Sequence, residues 1–165
     1  QPLWKPSTDP LYKNAISYLK RRGIGGIDIL RYSMGYCSSN GYANRIIIPS
    51  YDANGKLNYF IARDMFPNSK FKYKNPPMSK DTVCFEMFIN WNEPIVLVEG
   101  VFDAIAIRNN AIPLLGKFPS KTLVMRLVEK QVKTHFLYKI WTGTQQIQNR
   151  NQTKMSKHRL ITQVK

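Results

Sequence analysis

An acidic strand–turn–helix segment carries the residues of this sequence that are best suited to chemistry. Ile95–Val98 has the pattern of a buried strand and is followed at once by Glu99 and Gly100. Asp103 comes one helical turn later, in an apolar helix predicted over Val101–Arg108. Ligands collect at the carboxyl ends of parallel strands, so both carboxylates can face one point. Such oxygen ligands suit Mg²⁺ or Mn²⁺, the usual ions of phosphoryl transfer.

The same spacing also has a purely structural interpretation. Glu99 could pair with a lysine, and Asp103 could cap the helix that follows. Spacing alone does not separate this interpretation from a metal site, so the surrounding elements have to be considered.

Two patterns of secondary structure surround the acidic segment. Before Pro94 the sequence predicts two helices, a β-hairpin and a short third strand: Asp9–Gly23, around Ile27–Tyr32, Asn44–Pro49 with Lys56–Arg63, and Phe71–Lys74. After Pro94 strands and helices alternate, with a second strand at Ala111–Leu115 and a helix capped by Ser120 that runs to about Lys130. We therefore expect an α+β basic subdomain over residues 1–92 and a partial α/β domain with a parallel sheet over residues 93–133.

The charge balance favours a polyanionic partner. The 165 residues include 25 Lys and Arg against 10 Asp and Glu, a net charge of +15, with aromatic residues interleaved. Nucleic acid fits this composition better than a membrane surface, and no apolar run reaches the roughly 20 residues of a transmembrane helix. Two distant cysteines give no disulfide framework, which suggests the cytoplasm. Two histidines argue against a zinc site within this chain.

Residues 134–165 differ from the rest of the chain. They contain six Lys and Arg and no Asp or Glu, and they show no clear periodicity. One interpretation is a disordered basic tail that binds nucleic acid. The other is a terminus read in a shifted frame.

The segment VLVEGVFDAIAIRNNAIPLLGK, residues 96–117, resembles the start of the Toprim fold. Within that fold it looks most like the DnaG-type DNA primases of bacteria and phages. The resemblance covers roughly residues 10–130, because motifs similar to those of primases also occur upstream in the same order: YLKRRGI, ILRYSMGY, NRIIIP and KYKNP. It implies that Glu99 and Asp103 belong to a catalytic site for Mg²⁺ or Mn²⁺.

The resemblance also implies roles for five residues of the basic subdomain. Arg45 and Arg63, on adjacent strands, would contact phosphates. Lys72 would neutralise a triphosphate, Tyr73 would stack on a base, and Asn75 would hydrogen-bond a nucleotide or the backbone. The alternative for each is an ordinary exposed strand residue.

The function implied is synthesis of short RNA primers on single-stranded DNA from ribonucleoside triphosphates, with a replicative helicase as partner. A zinc-binding module would precede this part in a complete primase, so the chain is expected to be a fragment. Two alternatives stay open: the primase half of a phage primase–helicase, and a catalytically inactive Toprim-like protein that binds nucleic acid.

One motif of the family is missing. A Toprim site needs an Asp-x-Asp pair after its third strand, which Val132-Lys133-Thr134 would open here, yet the only acidic residue after Asp103 is Glu129. As written, the chain is expected to lack a complete active site. Read one base earlier, codons for Ile140–Gln145 can encode Leu-Asp-x-Asp-Ala, so we expect a frameshift between about residues 131 and 140.

Overall fold

The computed structural model describes residues 1–132 and 134–137, the last four as backbone only. These residues form a mixed α/β structure with two three-stranded sheets. The helices are α1 Pro10–Arg21, α2 Gly26–Arg31, α3 Val101–Ile107 and α4 Lys121–Glu129. The strands are β1 Gly35–Cys37, β2 Arg45–Tyr51, β3 Leu57–Asp64, β4 Ile95–Val98, β5 Ala111–Pro113 and β6 Thr134–Leu137.

The first sheet is antiparallel, in the order β1-β2-β3. Its β2–β3 hairpin confirms the predicted one, and the turn is built as the sequence indicates. Asp52 Oδ1 accepts hydrogen bonds from the backbone N–H groups of Asn54 and Lys56, both at 2.9 Å. Gly55 has a φ of +77°, a conformation that L side chains rarely adopt. The predicted third strand is reduced to a single bridge between Tyr73 and Arg63.

The second sheet is parallel, in the order β5-β4-β6. Strand β4 pairs with β5 on one side and with β6 on the other, so the predicted alternation of strand and helix is confirmed. Strand β6 is the expected third strand, and Leu137 lies opposite Val98. The carboxyl end of β6 therefore lies at the edge where β4 leads into Glu99.

The first helix begins and ends where the sequence predicts. Asp9 caps it, accepting a 2.8 Å hydrogen bond from the Leu11 N–H, and Pro10 is its first residue. Its apolar face is buried through Ala15 and Leu19, both fully inaccessible to solvent. This helix packs on both halves of the chain.

One hydrophobic core extends across the boundary predicted near residue 92. The same cluster contains residues from α1, the hairpin and α3, among them Leu19, Ile48, Phe102 and Ile105. A smaller cluster fills the other side of the parallel sheet, with Ile95, Leu97, Ile112 and Leu123. The boundary therefore separates two sheets and does not separate two cores.

Two predictions fall mainly on residues that the structure does not describe. Most of the predicted tail, residues 134–165, lies outside the described residues, and so does the segment proposed to hide Asp-x-Asp. Among the helices of the described part, none is long and apolar enough to cross a membrane.

Candidate nucleic-acid interface and acidic sheet edge

The hairpin directs its two arginines to opposite faces. Arg45 is paired with Asp64 across the strands, and Arg63 is paired with Ile46. Cross-strand partners share a face and successive residues alternate, so Arg45 and Arg63 cannot point the same way. The expectation that they lie on adjacent strands is met, but they do not form one surface.

Arg45 is committed to contacts within the hairpin. Its side chain is only 9% exposed, lies 3.4 Å from Asp64 Oδ2 and donates a 3.0 Å hydrogen bond to the Phe71 carbonyl. Asp64 is 11% exposed and also accepts a hydrogen bond from Ser69. A phosphate contact by Arg45 would require these bonds to break, so its position favours a structural role.

Arg63 is held in a different way. Its Nε donates a 2.9 Å hydrogen bond to the Tyr18 hydroxyl, and its guanidinium lies 4.6 Å from the centre of the Tyr73 ring. The two terminal nitrogens have no hydrogen-bond partner among the described residues. An arginine with these donors available is suited to bind a phosphate or carboxylate.

A shallow hollow of about 450 Å³ lies between the hairpin and the segment that follows it. It is lined by Asn40, Gly41, Ala43, Arg45, Phe71, Tyr73 and Lys74. Lys74, one of these lining residues, has its Nζ 5.5 Å from the centre of the Tyr42 ring, and Lys72, two residues earlier in the chain, is exposed. Sequence reasoning gave Lys74 no role, although its position two residues from Lys72 predicts the same face.

Tyr73 and Asn75 differ in their access to a ligand. Tyr73 is 48% exposed, so its ring can be reached by a base. Asn75 Oδ1 is buried beside Tyr59, whose ring is fully buried, and neither polar atom has a hydrogen-bond partner of standard geometry among the described residues. Burial raises the pKa of Tyr59, and the nearby Asn75 side chain partly opposes that rise. The Asn75 carbonyl oxygen is thus less accessible to a ligand than the Tyr73 ring.

Glu99 and Asp103 occupy the places that the sequence predicts. Glu99 is exposed directly after β4, and Asp103 is the third residue of α3, half-buried. A Cβ on Gly100 would lie 3.0 Å from Asp103 Oδ2, so the carboxylate folds back against the start of its own helix. The backbone of Gly100 has an ordinary φ of −117°, so glycine is favoured here only by the close approach of this carboxylate.

The described residues do not complete a metal site at this edge. They contain no group of three or more His, Cys, Asp or Glu side chains that could hold an ion. Glu129 is the only later acid in the chain, and it pairs with Arg126 at 3.4 Å on α4. Two carboxylates can supply part of the coordination of one divalent ion but do not fit a two-metal site.

Polar contacts join the two sheets. Arg108, just after α3, lies 2.9 Å from the buried carboxylate of Asp28 on α2. Asp81 Oδ1 accepts a 2.7 Å hydrogen bond from the Thr122 N–H in the first turn of α4. This bond lowers the pKa of Asp81. Both ends of the parallel-sheet region are therefore fixed to the N-terminal part.

Solved structures share most of this fold. The structure of a DnaG primase catalytic domain bound to single-stranded DNA matches with a TM-score of 0.63 at 20% identity, covering 78% of this chain and 54% of that one. The Escherichia coli primase catalytic core matches with a TM-score of 0.63 at 20% identity, covering 76% and 54%. This chain has the fold of the DnaG primase catalytic core. The predicted resemblance is confirmed at that level.

A third match adds a second nucleic-acid complex. The RNA polymerase domain of Mycobacterium tuberculosis DnaG, bound to double-stranded DNA with a 6-nucleotide overhang, has a TM-score of 0.65 at 16% identity, covering 78% of this chain and 57% of that one.

Sequence comparison gives two curated relatives. An uncharacterised protein of Mycoplasma genitalium is 32% identical over 136 residues, covering 76% of this chain and 61% of the relative. A DNA primase of Legionella pneumophila is 28% identical over 171 residues, covering 75% and 29%. No protein-family model matches the chain. The chain thus spans less than two thirds of each curated relative.

Proposed function

We propose that this chain is part of a DNA primase and binds the single-stranded DNA template for RNA-primer synthesis. The observation that carries the proposal is the match to a primase catalytic domain over 78% of the chain, a larger share than residues 1–92 or residues 93–165 could supply alone. A likeness limited to one sheet would fit many unrelated functions.

The template contact is assigned to Arg63 and Tyr73. Arg63 offers two terminal nitrogens to a phosphate, and the exposed Tyr73 ring offers a stacking surface to a base. Lys72 and Lys74 add charge beside them, where a nucleoside triphosphate would be neutralised. Binding should weaken as salt rises, because cationic side chains release counterions from the nucleic acid.

Glu99 and Asp103 are assigned to the acidic part of the site. They would contribute two of the ligands for Mg²⁺ or Mn²⁺, and a working site needs further carboxylates. A replicative helicase and a zinc module belong to this proposal as properties of a complete primase.

A second candidate function is binding of nucleic acid without catalysis. It is favoured by one observation: the only acid after Asp103 is Glu129, which pairs with Arg126. Such a protein would keep the basic hairpin and lose primer synthesis.

Two measurements on the whole chain separate these functions. Fluorescence anisotropy with a labelled single-stranded oligonucleotide, at 50 and 200 mM salt, tests template binding. Incorporation of labelled ribonucleotides on the same template, with Mg²⁺ or Mn²⁺, tests primer synthesis, with Glu99→Gln as the matched control. Binding with synthesis that Glu99→Gln abolishes supports a primase. Binding unchanged by Glu99→Gln, with no synthesis, supports the second candidate, and absence of binding contradicts both.

We further propose that the reading frame changes just after the third strand. Strand β6 pairs in parallel with β4 as far as Leu137, which supports a change of frame in the later part of the expected range, residues 131–140. The coding DNA tests this directly. An Asp-x-Asp in a neighbouring frame at codons 140–145 is the expected result, and its absence from both frames would contradict the proposal.

A further inference from the structure

A buried tyrosine on α1 contacts both the basic interface and the acidic helix. The Tyr18 hydroxyl accepts the 2.9 Å hydrogen bond from Arg63 Nε. The Tyr18 ring centre lies 6.2 Å from that of Phe102, with the rings tilted by 59°. Phe102 immediately precedes Asp103 in α3. One side chain thus connects the proposed phosphate-binding arginine to the helix that carries an acid.

Arg22 covers this contact from the solvent side. Its guanidinium carbon lies 4.9 Å from the centre of the Tyr18 ring and 4.7 Å from that of the Phe102 ring. Both rings are 9% exposed, so neither has much freedom to move. Cation–π contacts and burial together hold Tyr18 in one orientation.

The hydrogen bond to Tyr18 decides how Arg63 meets a ligand. It occupies Nε and leaves the terminal nitrogens available among the described residues, while Tyr73 covers one face of the guanidinium. A free arginine loses rotamer entropy when it binds a phosphate. An arginine already fixed at Nε loses less, so binding is stronger for the same contact.

We propose that Tyr18 is a positioning residue: it holds the Arg63 guanidinium in the orientation that receives a template phosphate and sets its place relative to α3. The proposal rests on the proposed function, because the ligand it assumes is single-stranded DNA. Tyr18 itself touches no ligand.

A double-mutant cycle with Tyr18→Phe and Arg63→Ala tests this role in the whole chain. The phenylalanine keeps the ring against Phe102 and removes only the hydroxyl. At 50 mM salt we expect Arg63→Ala to weaken binding of a labelled single-stranded oligonucleotide about tenfold. We expect Tyr18→Phe to weaken it about threefold, the effect of one lost hydrogen bond. The double variant should match Arg63→Ala.

Tyr12→Phe is the matched control. Tyr12 lies on the same helix and packs its ring 6.2 Å from Tyr36, away from Arg63. The same loss of a hydroxyl at this position should leave oligonucleotide affinity unchanged. A merely structural effect of Tyr18→Phe would instead lower affinity equally with and without Arg63.

A second readout does not depend on DNA binding. In a nitrogen-15 spectrum the Arg63 Nε–H should exchange slowly with water, and Tyr18→Phe should accelerate that exchange while Tyr12→Phe should not. Fast exchange in the unaltered chain, or additive losses in the cycle, would overturn the positioning role. If the anchoring is seen but Arg63→Ala leaves DNA binding unchanged, the proposed template contact fails together with the role built on it. Binding without primer synthesis leaves the positioning role supported and contradicts only the catalytic proposal.

Discussion

The hairpin and the parallel sheet hold their charged residues in contrasting environments. In the hairpin, the charge of Arg45 is paired within the fold. Arg63 is held at Nε, and its two terminal nitrogens have no hydrogen-bond partner among the described residues. At the sheet edge, Glu99 is exposed after its strand and Asp103 folds back over its own helix. The basic region therefore offers hydrogen-bond donors among the residues that the structure describes, whereas a metal site at the acidic edge would need ligands from elsewhere.

The difference between the two arginines gives the largest expected effect. Arg45→Met should lower the free energy of unfolding by about 3 kcal/mol, because it leaves the buried Asp64 without its cation. For a chain of this size the melting temperature should fall by roughly 8 °C, measurable by circular dichroism.

Arg63→Met on the neighbouring strand is the matched comparison. We expect a melting temperature within about 2 °C of the unaltered chain. We also expect the salt dependence of single-stranded DNA binding to fall by about 0.7 in the log–log slope, the value for one lost phosphate contact. The contrast fails if Arg45→Met reduces affinity at unchanged stability.

Supplying carboxylates beyond the third strand should complete the acidic edge. Thr142→Asp with Thr144→Asp places the aspartates where the shifted frame would put them. Mn²⁺ affinity, measured by calorimetry, should rise roughly tenfold because more carboxylates coordinate the ion. The control pair Thr142→Asn and Thr144→Asn should give no rise. A gain that persists after Glu99→Gln would show that the ion binds elsewhere.

Gly100→Ala should disturb the acidic edge and spare the hairpin. The new methyl group would meet Asp103 Oδ2 at 3.0 Å, so the carboxylate has to move. In the chain with the two added aspartates, Mn²⁺ affinity should fall by about threefold, roughly 0.7 kcal/mol. The melting temperature and oligonucleotide affinity should be nearly unchanged, and a loss of DNA binding would mean that the two regions are not separable.

The smallest effect on stability is expected at the contact between Asp81 and Thr122, which joins the N-terminal part to α4. Hydrogen bonds from Thr122 lower the pKa of Asp81. The ionised carboxylate therefore stabilises the fold at pH values above its ordinary pKa of 3.8. That contribution is lost as pH falls below 3.8 through the folded pKa. Asp81→Asn should reduce the slope of stability against pH in this range, measured by urea denaturation. An unchanged slope would show that the Asp81 contact does not form in solution.

Local patterns predicted most of the elements and the acidic residues. Asp9 and Pro10 mark the start of α1, and the apolar run Ile95–Val98 followed by Glu99 marks the strand end, because each signal involves neighbours in sequence. Strand β1, Gly35–Cys37, escaped prediction because three residues are too few for an alternating pattern.

The different contacts of Arg45 and Arg63 could not be predicted in the same way. It depends on the register that pairs Arg45 with Asp64, which is fixed only when the hairpin folds. The Tyr18 contact is further from any local pattern, since Arg63 lies 45 residues along the chain. Sequence reasoning identified the charged residues and not which of them the fold leaves available.

The shared core has a consequence for how the chain is made. Tyr18 and Leu19 emerge from the ribosome long before Phe102 and Ile105, yet all four belong to one hydrophobic cluster. A nascent chain that stops near residue 92 therefore exposes the apolar face of α1 without its partner helix, a state open to aggregation or to chaperones. Folding of the basic hairpin should be delayed until α3 has been synthesised, and the two halves should unfold in a single cooperative transition.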